Sequence, residues 1–146
     1  MNVVVDTNIL FSAILSPKGK IDDLLLNSER AFSFFAPVFL IEELDQHHSK
    51  MLKISGYTEN DLKFLKRTLY HHIEFIDPEI VQRESWLKGL EMTSDIDEKD
   101  TPFVALAIDL EGALWTGDKK LIKGLRSRGV KWTLTTEELD QVRNKN

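Results

Sequence analysis

Two acidic residues in this chain stand just beyond apolar runs that are typical of buried β-strands. Asp6 follows residues 3–5, which are all Val, and Asp118 follows the strand-like residues 113–116 after a single Gly. In an open α/β sheet, ligands bind in the crevice beyond the carboxyl ends of the strands, so acids at two strand ends can face one site although they are far apart in sequence. The pair therefore suggests a metal site.

Two further acids fit the same crevice. Glu43 lies in residues 37–44, which read as a helix with its apolar side chains inward, and Asp100 directly precedes a second apolar helix. Because the chain has no Cys, any metal must bind oxygen or imidazole. A site made of hard oxygen ligands selects Mg²⁺ or Mn²⁺.

The helix that carries Glu43 also carries the acidic neighbour Glu42. Adjacent helix positions point about 100° apart, so only one of the two can face the crevice. Leu40 and Leu44 share a stripe with Glu43, and this stripe favours Glu43 as the ligand.

Three other polar residues are secondary candidates for the site. Asp97 lies in an acidic loop with Asp95 and is the second choice to Asp100, as a ligand that contacts the metal through water. Asn8 and Thr116 carry groups suited to orienting a carboxylate. Local turn and cap hydrogen bonds explain Asn8 and Thr116 equally well.

Helix capping is the competing interpretation of the aspartates. Asp6, Asp100 and Asp118 each precede a predicted helix, and Asp is a favoured N-cap residue because its oxygen accepts a free backbone N–H. Taken singly, each is better explained as a cap. Their joint placement favours ligation, most clearly for Asp6, since a carboxylate at the end of a buried strand is costly without compensation.

The order of these motifs resembles the PIN-domain family of metal-dependent ribonucleases. The order is a strand followed by Asp-Thr-Asn, a Glu on a helix, an Asp before a Phe-x-Ala-Leu-Ala helix, and Thr-Gly-Asp after a strand. The resemblance spans nearly the whole chain. It implies single-stranded or loop RNA as the substrate, and catalytic and metal-ligating roles for the following four acids: Asp6, Glu43, Asp100 and Asp118.

Within that family, the chain looks similar to VapC-type toxins of toxin–antitoxin pairs. This similarity implies a small antitoxin protein as a partner, and it leaves a homodimer open. The segment from Ser49 to Ile73 is longer than in compact toxins and could serve RNA selection, dimerisation or antitoxin contact.

Other functions are compatible with parts of the pattern. A PIN nuclease could instead process RNA as a housekeeping enzyme. A metal-dependent phosphatase of the haloacid-dehalogenase kind would need Asp-x-Asp, and Asn8 occupies the second position of that motif. A non-catalytic α/β module, with its acids as caps, is the remaining alternative.

Composition limits the class of protein further. The chain has 146 residues and a formal net charge of −5, which argues against wrapping nucleic acid by bulk charge. No apolar run is long enough to span a membrane, and the first residues do not resemble a signal peptide. We expect one cytoplasmic PIN-like domain over residues 1–146 with no membrane contact.

The predicted elements alternate between strands and helices. This alternation indicates an α/β fold, a three-layer α/β/α sandwich with a mostly parallel central sheet. Strands are predicted at residues 1–5, 32–35, 74–76, 113–116 and 130–134. Helices with clear bounds are predicted at residues 8–15, 21–27, 59–73 and 80–90. A long helix is predicted from residue 37 towards residue 53, and shorter ones follow Asp100 and contain Leu121, Ile122 and Leu125. A terminal helix is predicted after a cap at Thr135 or Thr136.

Overall fold

A parallel sheet of five strands lies at the centre of the fold. In the computed structural model, which describes residues 1–145, the strand order is β3-β2-β1-β4-β5. The strands are β1 (Asn2–Val5), β2 (Ser33–Pro37), β3 (Ile73–Ile76), β4 (Ala113–Trp115) and β5 (Thr133–Leu134). In the central strand, Val4 is paired with Phe35 on one side and with Leu114 on the other. The predicted α/β fold with a parallel sheet is confirmed.

Helices connect the strands. They are α1 (Thr7–Leu15), α2 (Lys20–Leu26), α3 (Phe39–Gln46), α4 (His48–Ser55), α5 (Glu59–Tyr70), α6 (Arg83–Thr93), α7 (Thr101–Asp109), α8 (Lys119–Arg126) and α9 (Thr136–Asn144). Single 3-10 turns lie at Pro78–Ile80 and Glu98–Asp100. Thr135 is the cap of α9, in a reciprocal capping box with Glu138. None of the helices described within residues 1–145 is long and apolar enough to cross a membrane.

The sheet reverses its direction of growth beside β1. From β1 the chain adds β2 and then β3 on one side, whereas β4 and β5 lie on the other side. Such a reversal opens a crevice at the carboxyl ends of the two strands that flank it. The crevice therefore lies where β1 and β4 end. The three Val residues of β1 are fully buried, as expected for a central parallel strand.

The long helix predicted from residue 37 towards residue 53 is wrong in two places. It does not begin at Pro37, and it is interrupted at His47. Pro37 closes β2 opposite Ile76, a position at the end of a strand where its missing N–H costs little. The helix then stops at Gln46, because His47 has φ −104° and ψ 11°, and α4 begins at His48. The ring of His47 packs edge-on against Phe11, a contact that no local pattern encodes.

Three other boundaries differ from the prediction. Ile73 begins β3 and does not end α5. The helix predicted from residue 80 begins at Arg83, because Asp77 accepts a hydrogen bond from the Glu79 N–H and opens a separate 3-10 turn. The last strand is only Thr133–Leu134.

The position of Asp100 depends on the packing of α7, the helix that follows it. Helix α7 contacts β1, β2 and β4 on one side and α6 on the other. Gly89 of α6 lies against Ala105 of α7, and a Cβ atom on Gly89 would lie 3.0 Å from the Ala105 backbone nitrogen. The missing side chain thus lets the two helices approach closely.

Candidate active site

A single hydroxyl group joins the ends of β1 and β4. Thr116, which is fully buried, donates a hydrogen bond from Oγ1 to Asp6 Oδ2 at 2.6 Å. The same oxygen accepts the backbone N–H of Asp118 at 3.1 Å. Asp6 itself is buried, and its backbone N–H donates to the Trp115 carbonyl. The two acids predicted at strand ends are thereby held at one edge of the sheet.

Glu43 approaches these acids from α3. Its Oε1 accepts a hydrogen bond from Thr7 Oγ1 at 2.7 Å, and Thr7 directly follows Asp6. Glu43 is half-buried whereas Glu42 is exposed. The geometry thus directs Glu43, and not its neighbour, towards the end of β1.

Thr7 is a site residue that the sequence interpretation missed. The Asp-Thr-Asn motif contained the signal, but the supporting role was assigned to Asn8. Asn8 is exposed in the first turn of α1. Thr7 is buried, and its hydroxyl faces Glu43.

Asp100 completes the group from the start of α7. Its Oδ2 atom is buried and has no hydrogen-bond partner within residues 1–145. Burial raises the pKa of Asp100 to about 7, and the nearby negative charges of Asp6, Asp118, Asp97 and Glu43 add to this increase. These interactions place the four predicted acids in one electrostatic environment. We refer to Asp6, Glu43, Asp100 and Asp118 as the acid cluster.

The buried position of Asp6 also affects its protonation. Desolvation raises the pKa of Asp6, although the hydrogen bond from Thr116 acts in the opposite direction. The charges of Asp118 and Glu43 reinforce the increase. Asp6 and Asp100 are therefore both carboxylates whose charged form lacks sufficient compensation from the protein alone.

Capping explains only one of the three aspartates. Asp118 Oδ1 accepts the backbone N–H of Leu121 at 3.1 Å at the start of α8. Asp6 and Asp100 precede α1 and α7, but neither side chain accepts a capping hydrogen bond. Their positions need an explanation other than the helix start.

Comparison with known families identifies the family of this chain. The family model for the PIN domain matches residues 4–143. The chain belongs to the PIN-domain family. All four members of the acid cluster lie inside the matched region of this PIN domain.

A solved structure supports the fold of the PIN domain independently. The structure is that of VapBC2 from Rickettsia felis bound to a DNA fragment from the VapBC2 promoter. The aligned region has 18% identity and a TM-score of 0.67, and it covers 92% of this chain and 98% of the other. Among curated proteins, none matches significantly.

The secondary candidates occupy different positions around the acid cluster. Asp97 is exposed, and its Oδ1 accepts the N–H of Lys99 at 3.0 Å at the start of a 3-10 turn. Its charge nevertheless acts on Asp100. Thr116 contacts two members of the cluster directly.

The chemistry of the acid cluster fits a hard divalent cation. All of its donor atoms are carboxylate oxygens, and the buried Oδ2 of Asp100 is without a partner in the described residues. Over residues 1–145, no three His, Asp or Glu side chains form a ready-made metal-holding group. Three of the carboxylates instead accept hydrogen bonds, from Thr116, Thr7 and the Leu121 N–H. Joint ligation would therefore require these side chains to leave the hydrogen-bonded positions described here.

Proposed function

We propose that this PIN domain is a Mg²⁺- or Mn²⁺-dependent endoribonuclease that hydrolyses phosphodiester bonds of RNA. The observation that carries the proposal is the buried, unpartnered oxygen of Asp100 beside three further acids. A protein gains nothing in stability from such a group, because the charged form is poorly solvated and repelled by its neighbours. A cation-binding role accounts for the arrangement.

Each residue of the site has a separate task in this proposal. Asp6, Glu43, Asp100 and Asp118 would hold the cation, with Asp97 as an outer contributor. When bound, the divalent cation neutralises charge on the scissile phosphate and makes water a better nucleophile. Thr116 and Thr7 keep the carboxylates of Asp6 and Glu43 oriented through their hydrogen bonds.

Proton release accompanies loading of the site. With a pKa of about 7, Asp100 carries a proton in a large fraction of molecules near neutral pH. Carboxylates must be deprotonated to ligate a metal, so cation binding displaces that proton into solvent. Cation affinity therefore rises with pH through neutrality.

We further propose that the chain is the toxin of a toxin–antitoxin pair and acts in the cytoplasm. The order of its motifs is similar to that of VapC-type toxins, and its fold is like that of a VapBC2 chain. A small antitoxin would restrain the enzyme by placing an Arg or Lys side chain against the acid cluster. A basic side chain can replace the cation through charge-assisted hydrogen bonds to carboxylates. A homodimer is compatible with this role.

Cleavage of a mixed RNA pool by the purified protein tests the enzymatic proposal. We expect cleavage with Mg²⁺ or Mn²⁺, none with a chelator, and a loss of orders of magnitude in Asp6→Asn and Asp100→Asn. Glu42→Gln is the matched control, since it removes an exposed acid beside Glu43. Undiminished cleavage by Asp100→Asn, or equal loss in the control, would contradict the proposal.

A further inference from the structure

A basic groove runs along α8, the helix that begins directly after Asp118 of the acid cluster. It has a volume of about 340 Å³. It lies between the segment before Asp97 and the outer face of α8. Its lining residues are Asp95, Ile96, Lys120, Lys123, Gly124, Ser127 and Arg128. We refer to it as the α8 groove.

The shape of the α8 groove depends on a glycine. A Cβ atom on Gly124 would lie 2.4 Å from Cδ1 of Ile96, so a side chain at this position would displace Ile96. Without one, Ile96 rests directly on α8 and forms a half-buried apolar floor. Leu121, Ile122 and Leu125 anchor the opposite face of the helix in the core.

The charge of the α8 groove is positive and available. Lys120 and Lys123 are exposed, and neither forms an ion pair with any residue in the described part of the chain. The one acid of the groove, Asp95, is already paired with Arg128. By contrast, Arg126 on the same helix is paired with Glu138 outside the groove. Among the cations that line the groove in residues 1–145, the two lysines are therefore the ones left free for a ligand.

The position of these lysines matters because of the charge around them. The chain has a net charge of −5, and Asp118 of the acid cluster is the N-cap of α8. A polyanion approaching that edge meets repulsion unless nearby cations offset it. Lys120 is two residues from Asp118, and Ile96 is next to Asp97, so short stretches of chain join both walls of the groove to the acids.

We propose that the α8 groove binds the backbone of single-stranded RNA on one flank of the scissile phosphate, with Lys120 and Lys123 contacting phosphates. This inference rests on the proposed function and specifies how the enzyme would hold its RNA substrate. Lysine contacts to phosphate position a strand without reading its bases, so the groove supplies affinity and register, not sequence choice. An α-helix rises about 1.5 Å per residue, so the two lysines extend the contact along the strand beyond the cluster.

Steady-state cleavage of a single-stranded RNA by the Lys120→Gln/Lys123→Gln double variant tests the proposal. We expect KM to rise about tenfold, with kcat within about twofold of wild type, because the phosphate contacts act mainly in binding. The plot of log KM against log salt should lose a slope of about 0.7 per contact, or about 1.4 for both. The matched control is Lys131→Gln/Lys145→Gln, which makes the same charge change at exposed positions outside the groove.

The possible outcomes distinguish failure of the groove proposal from failure of the proposed enzymatic function. If the double variant and its control have the same KM and salt slope, the groove proposal is overturned. A fall in kcat at unchanged KM also overturns it, since the lysines would then act in the chemical step. If the wild type cleaves no RNA, the proposed function fails, and fluorescence anisotropy of a labelled RNA then tests the groove proposal alone. Weaker RNA binding by the double variant alone supports the groove proposal. Equal RNA binding by all three proteins overturns it.

Discussion

Thr116 is the residue on which the geometry of two acids depends. Its hydroxyl donates to Asp6 and accepts from the backbone of Asp118, in a position with no solvent access. No water can replace either contact without a rearrangement of the strand ends. The orientation of Asp6 and the start of α8 are therefore coupled through one oxygen atom.

Replacing Thr116 with Val tests this coupling. The isosteric change removes both hydrogen bonds and leaves Asp6 Oδ2 buried without a donor, which costs about 1–3 kcal/mol of unfolding free energy. Loss of carboxylate orientation should also reduce RNA cleavage by about 10–100-fold. Denaturant unfolding and cleavage rates measure the two effects. Thr116→Ser keeps the hydroxyl and should stay close to wild type, so equal defects in both variants would contradict the role of that oxygen.

Asp100 makes the metal-free protein sensitive to pH. Its folded pKa of about 7 lies above its ordinary value of 3.8, so the folded state binds this proton more tightly than the unfolded state does. The resulting stabilisation is complete below the ordinary value and is lost as pH rises through about 7. The metal-free wild type should consequently gain stability as pH falls from neutral towards that lower value.

The Asp100→Asn variant should lose that pH dependence. Above neutral pH it should melt at or above the metal-free wild type, by roughly 2–4 °C for each 1 kcal/mol of relieved repulsion. Added Mg²⁺ or Mn²⁺ should raise the Tm of the wild type more than that of the variant, because only the native wild-type site binds the cation fully. Thermal melts at several pH values measure this. A variant that melts well below wild type, with no metal response in either protein, would favour a purely structural role for Asp100.

At the scale of elements, the close approach of α6 to α7 positions the start of α7. Gly89→Ala places a Cβ atom 3.0 Å from the backbone nitrogen of Ala105. A backbone atom cannot rotate out of the way as the end of a side chain can. Overpacking of this kind costs about 1–3 kcal/mol. We expect a lower Tm and slower RNA cleavage, since Asp100 directly precedes α7 as its N-cap residue. Gly117→Ala is the stability control, because nothing lies within 4 Å of its added Cβ. An unchanged Tm in Gly89→Ala would show that the helix pair adjusts freely.

The sequence patterns predicted the elements better than the contacts between them. The positions of Asp6 and Asp118 could be predicted because the carboxyl ends of parallel strands lie at one edge of the sheet. The break at His47 could not be placed from the sequence, and the His47 ring there packs against Phe11 of another helix. The bond between Thr7 and Glu43 joins residues 36 positions apart, and no local periodicity encodes it. Tertiary contacts thus determine what local patterns leave open.

The same limit applies to the segment from Ser49 to Ile73. The sequence of this segment shows helical periodicity but does not indicate which side chains of other helices it contacts. Lys66 of α5 is buried, and its Nζ contacts Asp45 Oδ1 at 3.2 Å and His48 Nδ1 at 2.8 Å. The His48 ring also contacts Glu59. This network ties α4 and α5 to α3, the helix that carries Glu43.

At the scale of the whole molecule, the toxin proposal predicts a growth phenotype. Expression of the wild-type chain alone should arrest growth, because uncontrolled RNA cleavage depletes essential transcripts. Asp100→Asn should not arrest growth, and the Glu42→Gln control should behave as wild type. Growth curves after induction measure this. If cells that express the wild-type chain grow normally although the purified enzyme cleaves RNA, the toxin role is contradicted and housekeeping RNA processing is favoured.

The central claim is that acids from four separate parts of the chain form one cation site, and calorimetric titration with Mn²⁺ tests it most directly. Glu43 is the most informative member because it comes from within α3 and does not directly follow a strand, and because exposed Glu42 beside it provides a matched control. We predict that Glu43→Gln weakens Mn²⁺ binding at least tenfold, about 1.4 kcal/mol, while Glu42→Gln leaves it unchanged. Equal Mn²⁺ affinity in Glu43→Gln and wild type would contradict the claim.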